Sequence, residues 1–596
     1  MVERKQLNYW LILSVVAVVI YFGCIISPPS LMDDVDSVQA VMARGMLVSG
    51  DWVTTRIDGI PFLEKPPLIY WAVALSFKIF GIHDWASRIP VALSAVALCL
   101  LTAAFGMWAF GKRAGFFAGL SLVTCVGLFL FTRIILPDPM LTFFCALALW
   151  AYLRALDEEE PHPRLWSLLL AASLGAGLLL KSLIGVVFPV GAALVHLVLT
   201  RQIFLRRTWQ RLHPFTGALV ILLVAAPWHI LATLRNPPYF AWTLHSGPHN
   251  YHGFLWFFFI NEQLLRFLNL RYPRDYNTVP RIYFWLFHLI WLFPWSVYLP
   301  AVAKLPYRAL DRAARTRLLC LCWLGFVLIF FTFSTTQEYY SMPCYPAFAL
   351  LIGSAIAEGG AWINRGTAAL RAIAGICAAA AFALYFMVRN LPTPGDIGNS
   401  LGYHPKAYTL SLGHMLDLTL GSFAYLKFPL LLAAVAFLIG ALGTIRAKAD
   451  RAFLIIALMM ILFFHAARLA MVTFDPFLSS RPIAEELLRL PQGEIILHRH
   501  FFPYSSIGFY TDRPALLLNG RILNLEYGSD APGAPDVFLD EPKFQALWNS
   551  PQRCYLVISE RVYPQFENLM DSSRRITVME SAGKLLLTNS PVAAAR

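Results

Sequence analysis

Apolar residues in this chain gather in long uninterrupted runs rather than in the alternating or 3.6-residue patterns of a soluble protein. A helix that crosses a bilayer needs about 20 predominantly apolar residues. Thirteen segments reach or approach that length: Asn8–Ile26, Ile89–Phe110, Gly115–Phe131, Pro139–Leu156, Trp166–Leu180, Leu183–Thr200, Pro214–Thr233, Ile282–Leu299, Leu318–Phe333, Met342–Ile356, Leu370–Val388, Phe428–Ile445 and Ala452–Val472. The two that flank Lys181 also read as one long segment. The pattern predicts a mainly α, polytopic membrane protein of about thirteen transmembrane helices, occupying residues 1–472.

Three intervening segments are long and rich in Asp, Glu, His, Trp and Tyr: 28–88, 235–281 and 390–427. Long ordered loops are usually functional. The first contains an amphipathic stretch, Ser37–Val48, and a second helical stretch after Pro67. From about residue 473 the pattern changes to short apolar runs between turns: Glu494–His498, Ile507–Tyr510, Ala515–Leu518, Asp536–Leu539, Cys554–Ser559, Arg575–Glu580 and Lys584–Thr588. Helical stretches Pro482–Leu490 and Pro542–Trp548 are interleaved with them. Strands mixed with helices predict a C-terminal α/β domain over residues 473–596.

Charge orients this picture. Basic residues cluster in alternate short loops: Lys112 and Arg113; Arg201, Arg206, Arg207 and Arg211; Lys304, Arg308, Arg312, Arg315 and Arg317; Arg446, Lys448 and Arg451. By the positive-inside rule these loops are cytoplasmic. Thirteen spans then put the three long loops and the C-terminal domain on the extracytoplasmic side of the membrane. The net charge of +13 is accounted for by these loops, so it does not signal nucleic-acid binding. Composition agrees: 58% of the 596 residues are hydrophobic and 14% charged, with mean hydropathy +0.59, against about 25% charged in soluble domains. Asn8–Ile26 lacks a small-residue cleavage site and reads as a first transmembrane helix rather than a signal peptide. The nine cysteines are scattered without metal-ligand spacing and read as small core residues.

Charged residues at the outer ends of spans are the candidates for chemistry, since ionisable groups beside hydrocarbon are costly. Asp33, Asp34 and Asp36 follow the first span. Such a cluster can supply a general base or hold a cation, although Asp36 would also cap a helix starting at Ser37. Glu64 and Lys65 precede Pro66-Pro67; the lysine either binds a phosphate or snorkels beside its acidic neighbour. Asp138 sits between two prolines, and Lys181 lies between two apolar runs. Arg266 closes Asn261-Glu262-Gln263-Leu264-Leu265-Arg266, as a phosphate fork or as the i,i+4 partner of Glu262. Thr335-Thr336-Gln337-Glu338-Tyr339-Tyr340 is a polar interruption between two spans. The spacing puts all of these on one side of the membrane.

In order and spacing these motifs resemble the C-type glycosyltransferases, in the branch that holds protein O-mannosyltransferases and bacterial lipid A aminoarabinose transferases. The motifs are the Asp33, Asp34, Asp36 cluster, Ala43-Arg44-Gly45-Met46-Leu47, Ser49-Gly50-Asp51-Trp52, Glu64-Lys65-Pro66, Asp138-Pro139, Lys181 and the Asn261–Phe267 run. The resemblance implies a catalytic base at Asp34 or Asp36, with Asp138 as a second acid. It implies that Lys65, Lys181 and Arg266 hold the phosphate of a polyprenyl-phosphate sugar donor, supported by Asp33, Glu64, Glu262 and Tyr339. The expected acceptor is a glycolipid such as lipid A, or a protein hydroxyl. No metal or other cofactor is expected, nor a nucleic-acid partner, and the sequence sets no oligomeric state. The aminoarabinose transferases often read Glu-His where this chain has Glu262-Gln263, so the sugar is left open. A transporter or flippase of lipid-linked saccharides is the competing reading, but it calls for charges near mid-membrane and repeated halves, and neither is visible in the sequence.

Overall fold

A computed structural model describes residues 2–274, 279–308, 311–334, 337–447 and 449–592. Thr335, Thr336 and Lys448 lie outside the described residues. The chain is a polytopic helical protein with a C-terminal mixed sheet. All thirteen apolar segments are helical. Among the described residues eight helices are long and apolar enough to cross a membrane unaided: Asp84–Phe110, Asp138–Leu156, Pro163–Lys181, Arg206–Arg235, Arg312–Phe333, Glu338–Glu358, Ala361–Val388 and Asp450–Thr473.

The other predicted segments are shorter or broken, each for a local reason. Gly115–Phe131 is two helices, Lys112–Val123 and Val126–Phe131, interrupted at Thr124 and Cys125. Ile282–Leu299 bends by 96° after Trp291, where Pro294 removes a backbone donor. Lys181 ends one helix and Ser182, at a φ of 57°, turns the chain before Ile184–Leu199 begins, so the flanking segments are two helices and not one. The helices Arg206–Arg235 and Ala361–Val388 are only 17% buried in their most apolar windows. Their outward faces are apolar because lipid is their solvent.

The first long loop is largely helical. Asp36–Ser49 buries Asp36, Ala40 and Ala43 at i, i+4 and i+7, together with Val38, Met42 and Met46. It is followed by a two-residue hairpin, β1 (Arg56–Ile57) and β2 (Ile60–Pro61), and by the helix Leu68–Phe80. The second long loop contains a π-helical stretch, Trp256–Leu265. It starts after Gly253, whose positive φ and contact with the Pro238 carbonyl leave no space for a Cβ.

The C-terminal sheet consists of β3 (Glu494–His498), β4 (Leu516–Leu518), β5 (Phe538–Leu539), β6 (Cys554–Ser559), β7 (Ile576–Ser581) and β8 (Lys584–Thr588), in the order β5-β4-β3-β6-β8-β7. The pairs β5-β4, β4-β3 and β3-β6 are parallel, while β6-β8 and β8-β7 are antiparallel. Six of the seven apolar runs form these strands. Ile507–Tyr510 does not: it belongs to the helix Ser505–Thr511. Tertiary contacts override its strand pattern, since Ser505 and Ser506 at the start of that helix bind the first loop and Phe509 packs toward Phe77.

Candidate functional site

Segments distant in sequence converge on one cavity of about 250 Å³. Its walls include Asp34, Lys65, Asp138, Lys181, Arg266 and Tyr340. A smaller cavity of about 60 Å³ shares Lys65, Lys181, Arg266 and Tyr340 and adds Glu262 and Gln263. Sequence spacing placed these charges at one end of the bundle; the fold brings them around one volume.

Asp34 stands at the rim. Its φ of 73° is a left-handed conformation that Asp tolerates better than most residues. The conformation is held from the C-terminal region, because the Asp34 N–H donates to the Phe502 carbonyl at 2.8 Å and to Ser505 Oγ at 3.1 Å. Among the described residues its carboxylate has no ion pair, and it faces the cavity. The residue as a whole is solvent-exposed, but desolvation of its carboxyl in the cleft, and then the neighbouring Asp33 charge, lift that carboxyl above the ordinary aspartate value.

Asp33 and Asp36 do not line the cavity. Asp33 is tied to the C-terminal region: its carboxylate accepts from Ser506 N–H (2.8 Å), Ser480 Oγ (2.7 Å) and Lys584 Nζ (2.8 Å). Asp36 is fully buried. It pairs with Arg88 at 3.1 Å and accepts from the Ile135 N–H at 2.7 Å. The helix begins at Asp36 itself and its side chain makes no capping bond, so the N-cap expectation gives way, and Asp36 lies outside the cavity as a buried ion-pair partner. The pair joins the first loop to Arg88 and to the strand of chain leading to Asp138. Breaking a buried pair from one side costs about 3–5 kcal/mol. Asp36→Asn is therefore expected to lower stability by about that amount, read as earlier thermal unfolding, with transfer per folded molecule little changed.

The cations are held by acids. Lys65 is paired with Glu64. Burial works upward on Glu64, but Lys65, Arg271 and Arg266 together outweigh it and hold its carboxyl down at about 2. Burial likewise works against the Lys65 charge, and Glu64 overcomes it, so the ammonium titrates above the usual lysine value. Arg266 bonds Glu262 at 2.8 Å, lies 3.5 Å from Glu64, and donates to the Tyr340 hydroxyl at 3.1 Å. The i,i+4 pair and the cavity-facing fork expected at this position are one and the same side chain. Lys181 meets Asp138 at 2.6 Å and lies 4.4 Å from the Tyr340 ring centre and 5.4 Å from that of Tyr339. The second carboxylate oxygen of Asp138 is buried without a partner.

Two contributors, Arg271 and Asn524, were missed in the sequence, and Tyr340 stood there only as part of a polar run. Arg271 is buried against Glu262 and gives the paired cluster one more cation than it has acids. Tyr340 bridges Lys181 and Arg266. Asn524 comes from the short helix Asn524–Ser529 of the C-terminal region; its Nδ2 donates to Glu64 at 2.5 Å while its Oδ1 accepts from Arg271. Phe502 and Leu523 add apolar wall from the same region. An asparagine more than 450 residues from its partner carries no local signal. A charge-assisted hydrogen bond contributes about 1.5–3 kcal/mol, so, for the polyprenyl-phosphate donor that the motif resemblance implies, Asn524→Ala is expected to raise KM at least about tenfold with a smaller loss in kcat. Steady-state kinetics in detergent checks this.

Comparison with known proteins follows the same lines. Residues 64–231 match the family described as dolichyl-phosphate-mannose-protein mannosyltransferase. The undecaprenyl phosphate-alpha-4-amino-4-deoxy-L-arabinose arabinosyl transferase of Pseudomonas aeruginosa (strain LESB58) is 29% identical over 336 residues, 54% of each chain. One from Sodalis glossinidius is 27% identical over 323 residues, 53% of each. The aligned chain thus spans about half the length of the curated relatives it matches. In fold, ArnT from Cupriavidus metallidurans bound to undecaprenyl phosphate superposes with a TM-score of 0.77 at 22% identity over 98% of both chains. Its apo form superposes with a TM-score of 0.76, at the same identity and coverage. The resemblance carried by the motifs is therefore met in sequence and in fold.

Proposed function

We propose that this chain is an integral-membrane glycosyltransferase that moves a sugar from a polyprenyl-phosphate donor to a hydroxyl of lipid A, another glycolipid or a protein on the periplasmic face of the inner membrane. Residues 1–472 are the transferase part, and the α/β domain from residue 473 helps to build the site. One observation carries the reading: Asp34, the one cavity carboxylate without an ion pair among the described residues, lines the same cavity as Lys65, Lys181 and Arg266. Relatives named for undecaprenyl phosphate and an aminopentose point to a donor of that class.

The chemistry follows from the geometry. The acceptor hydroxyl enters beside Asp34, whose carboxylate takes its proton as the oxygen attacks the anomeric carbon of the sugar. The bond from that carbon to the phosphate oxygen breaks, and its electron pair leaves with the polyprenyl phosphate. Charge accumulates on the phosphate, where Lys65, Arg266 and Lys181 are fixed to receive it. Tyr340 and the acids Glu64, Glu262 and Asp138 orient those cations before the donor arrives, so little reorganisation accompanies the reaction. Asp138, bonded to Lys181, acts by positioning.

Proteoliposomes given a radiolabelled polyprenyl-phosphate sugar and lipid A test this. Transferase activity yields labelled lipid A and free polyprenyl phosphate. Movement of intact donor between leaflets without cleavage would instead establish the transporter reading. Orientation is checked in spheroplasts: a cysteine placed at Asp51 should react with an impermeant reagent, and one at Arg207 should not.

A further inference from the structure

Away from the donor cavity, but at the same end of the bundle, two arginines stand without an acid. Arg133 follows the helix Val126–Phe131 and is 5% exposed. Its guanidinium donates to the Phe129 carbonyl at 3.1 Å and to Thr132 Oγ1 at 3.3 Å, and lies 4.7 Å from the Phe129 ring centre. That ring stacks on Phe464 at 4.1 Å, nearly parallel. One turn beyond Phe464, Arg468 reaches the Gly23 carbonyl at 3.4 Å, and its Nε is buried with no partner. His465 lies beside it, with Cε1 against Gly23. The Phe129–Phe464 stack joins the segments that carry the two arginines.

Among the described residues neither arginine forms an ion pair, whereas Lys65, Lys181, Arg266 and Arg88 each meet a carboxylate. Cations beside hydrocarbon are costly and are normally compensated. Here the buried Arg133 and the part-exposed Arg468 are left without a carboxylate among the described residues. Arg468 is five residues from Thr473, the end of its helix, or about 7.5 Å at the helical rise. Arg468 is thus near the end of this long apolar helix that leads into the C-terminal region, and not at its middle. Arg468 and His465 are part-exposed, and Ile26, three residues from Gly23, is 65% exposed, so the group is not sealed inside the protein.

We propose that Arg133, Arg468 and His465 form a phosphate site for the headgroup of a membrane lipid, entered from the flank between the helices Val2–Tyr21 and Ala449–Thr473. The phosphate supplies the anion that the protein does not, and the acyl chains run down the apolar flank below it. The site lies outside the donor cavity and does not depend on the transfer reaction.

Native mass spectrometry of the delipidated full chain, titrated with phosphatidylglycerol, lipid A, phosphatidylcholine and inorganic phosphate, tests the site. Wild type is expected to retain phosphatidylglycerol, lipid A or both at least about tenfold more tightly than phosphatidylcholine, as charge-assisted contacts require. Which of the two is retained identifies the source of the phosphate. Arg468→Gln, which sacrifices only one long hydrogen bond of the fold, should lose that preference, as should Arg133→Gln; Arg468→Lys should keep part of it. Lys65→Ala, altered only at the donor cavity, should retain it in full. Equal lipid retention by wild type and Arg468→Gln overturns the site, as does inorganic phosphate binding as tightly as either lipid.

Discussion

Asp34→Asn is expected to reduce transfer by about 10²–10⁴-fold, the range a positioned general base supplies, while donor binding and folding persist. The amide keeps the shape of the carboxylate and cannot take the acceptor proton. In wild type the rate should fall as pH drops through the Asp34 pKa, which burial and Asp33 hold above the ordinary aspartate value. Lys584 offers an independent handle. It neutralises Asp33 from β8, so Lys584→Met leaves that charge uncompensated and should move the acid limb to higher pH. A stability defect alone would lower the whole profile without moving the limb. Single-turnover rates against pH for wild type, Asp34→Asn and Lys584→Met separate these cases; wild-type turnover by Asp34→Asn would remove the base assignment.

The donor grip predicts the second large effect. Lys65 and Arg266 come from loops about 200 residues apart and both line the two neighbouring cavities. At about 1.5–3 kcal/mol per charge-assisted bond, Lys65→Ala or Arg266→Ala should each weaken donor use at least about tenfold. Arg266→Lys should lose more than Lys65→Arg, because one planar fork serves Glu262, Glu64 and Tyr340 at once and a point charge does not replace it. The double variant should be less impaired than the single effects combined, since both side chains share Glu64 and one phosphate. Steady-state transfer with a short-chain polyprenyl-phosphate donor measures all five variants. Undiminished rates in both alanine variants, at normal protein levels, would leave the cations as structural partners of their acids.

Much of this was legible in the sequence, because the signals are local. Runs such as Ala452–Val472 announce a helix in lipid by length and composition alone. Gln-free apolar strands such as Cys554–Ser559 and Lys584–Thr588 are bounded by turn residues and fall where expected. Charged residues at span ends stand out because hydrocarbon makes them costly, which is why Asp34, Lys65, Asp138, Lys181 and Arg266 were found one by one. Tertiary structure decided what no local signal records. It separated three adjacent aspartates into an open carboxylate, a strut to Lys584 and a buried partner of Arg88, a choice made by which way each side chain points in a turn with one left-handed residue. It made Ile507–Tyr510 a helix by giving its first serines the first loop to bind. It brought Asn524 to Glu64 across more than 450 residues, a contact fixed by the docking of the C-terminal sheet and invisible to spacing. Composition and periodicity set the lipid-facing architecture; the directions of hydrogen bonds between distant segments set the site.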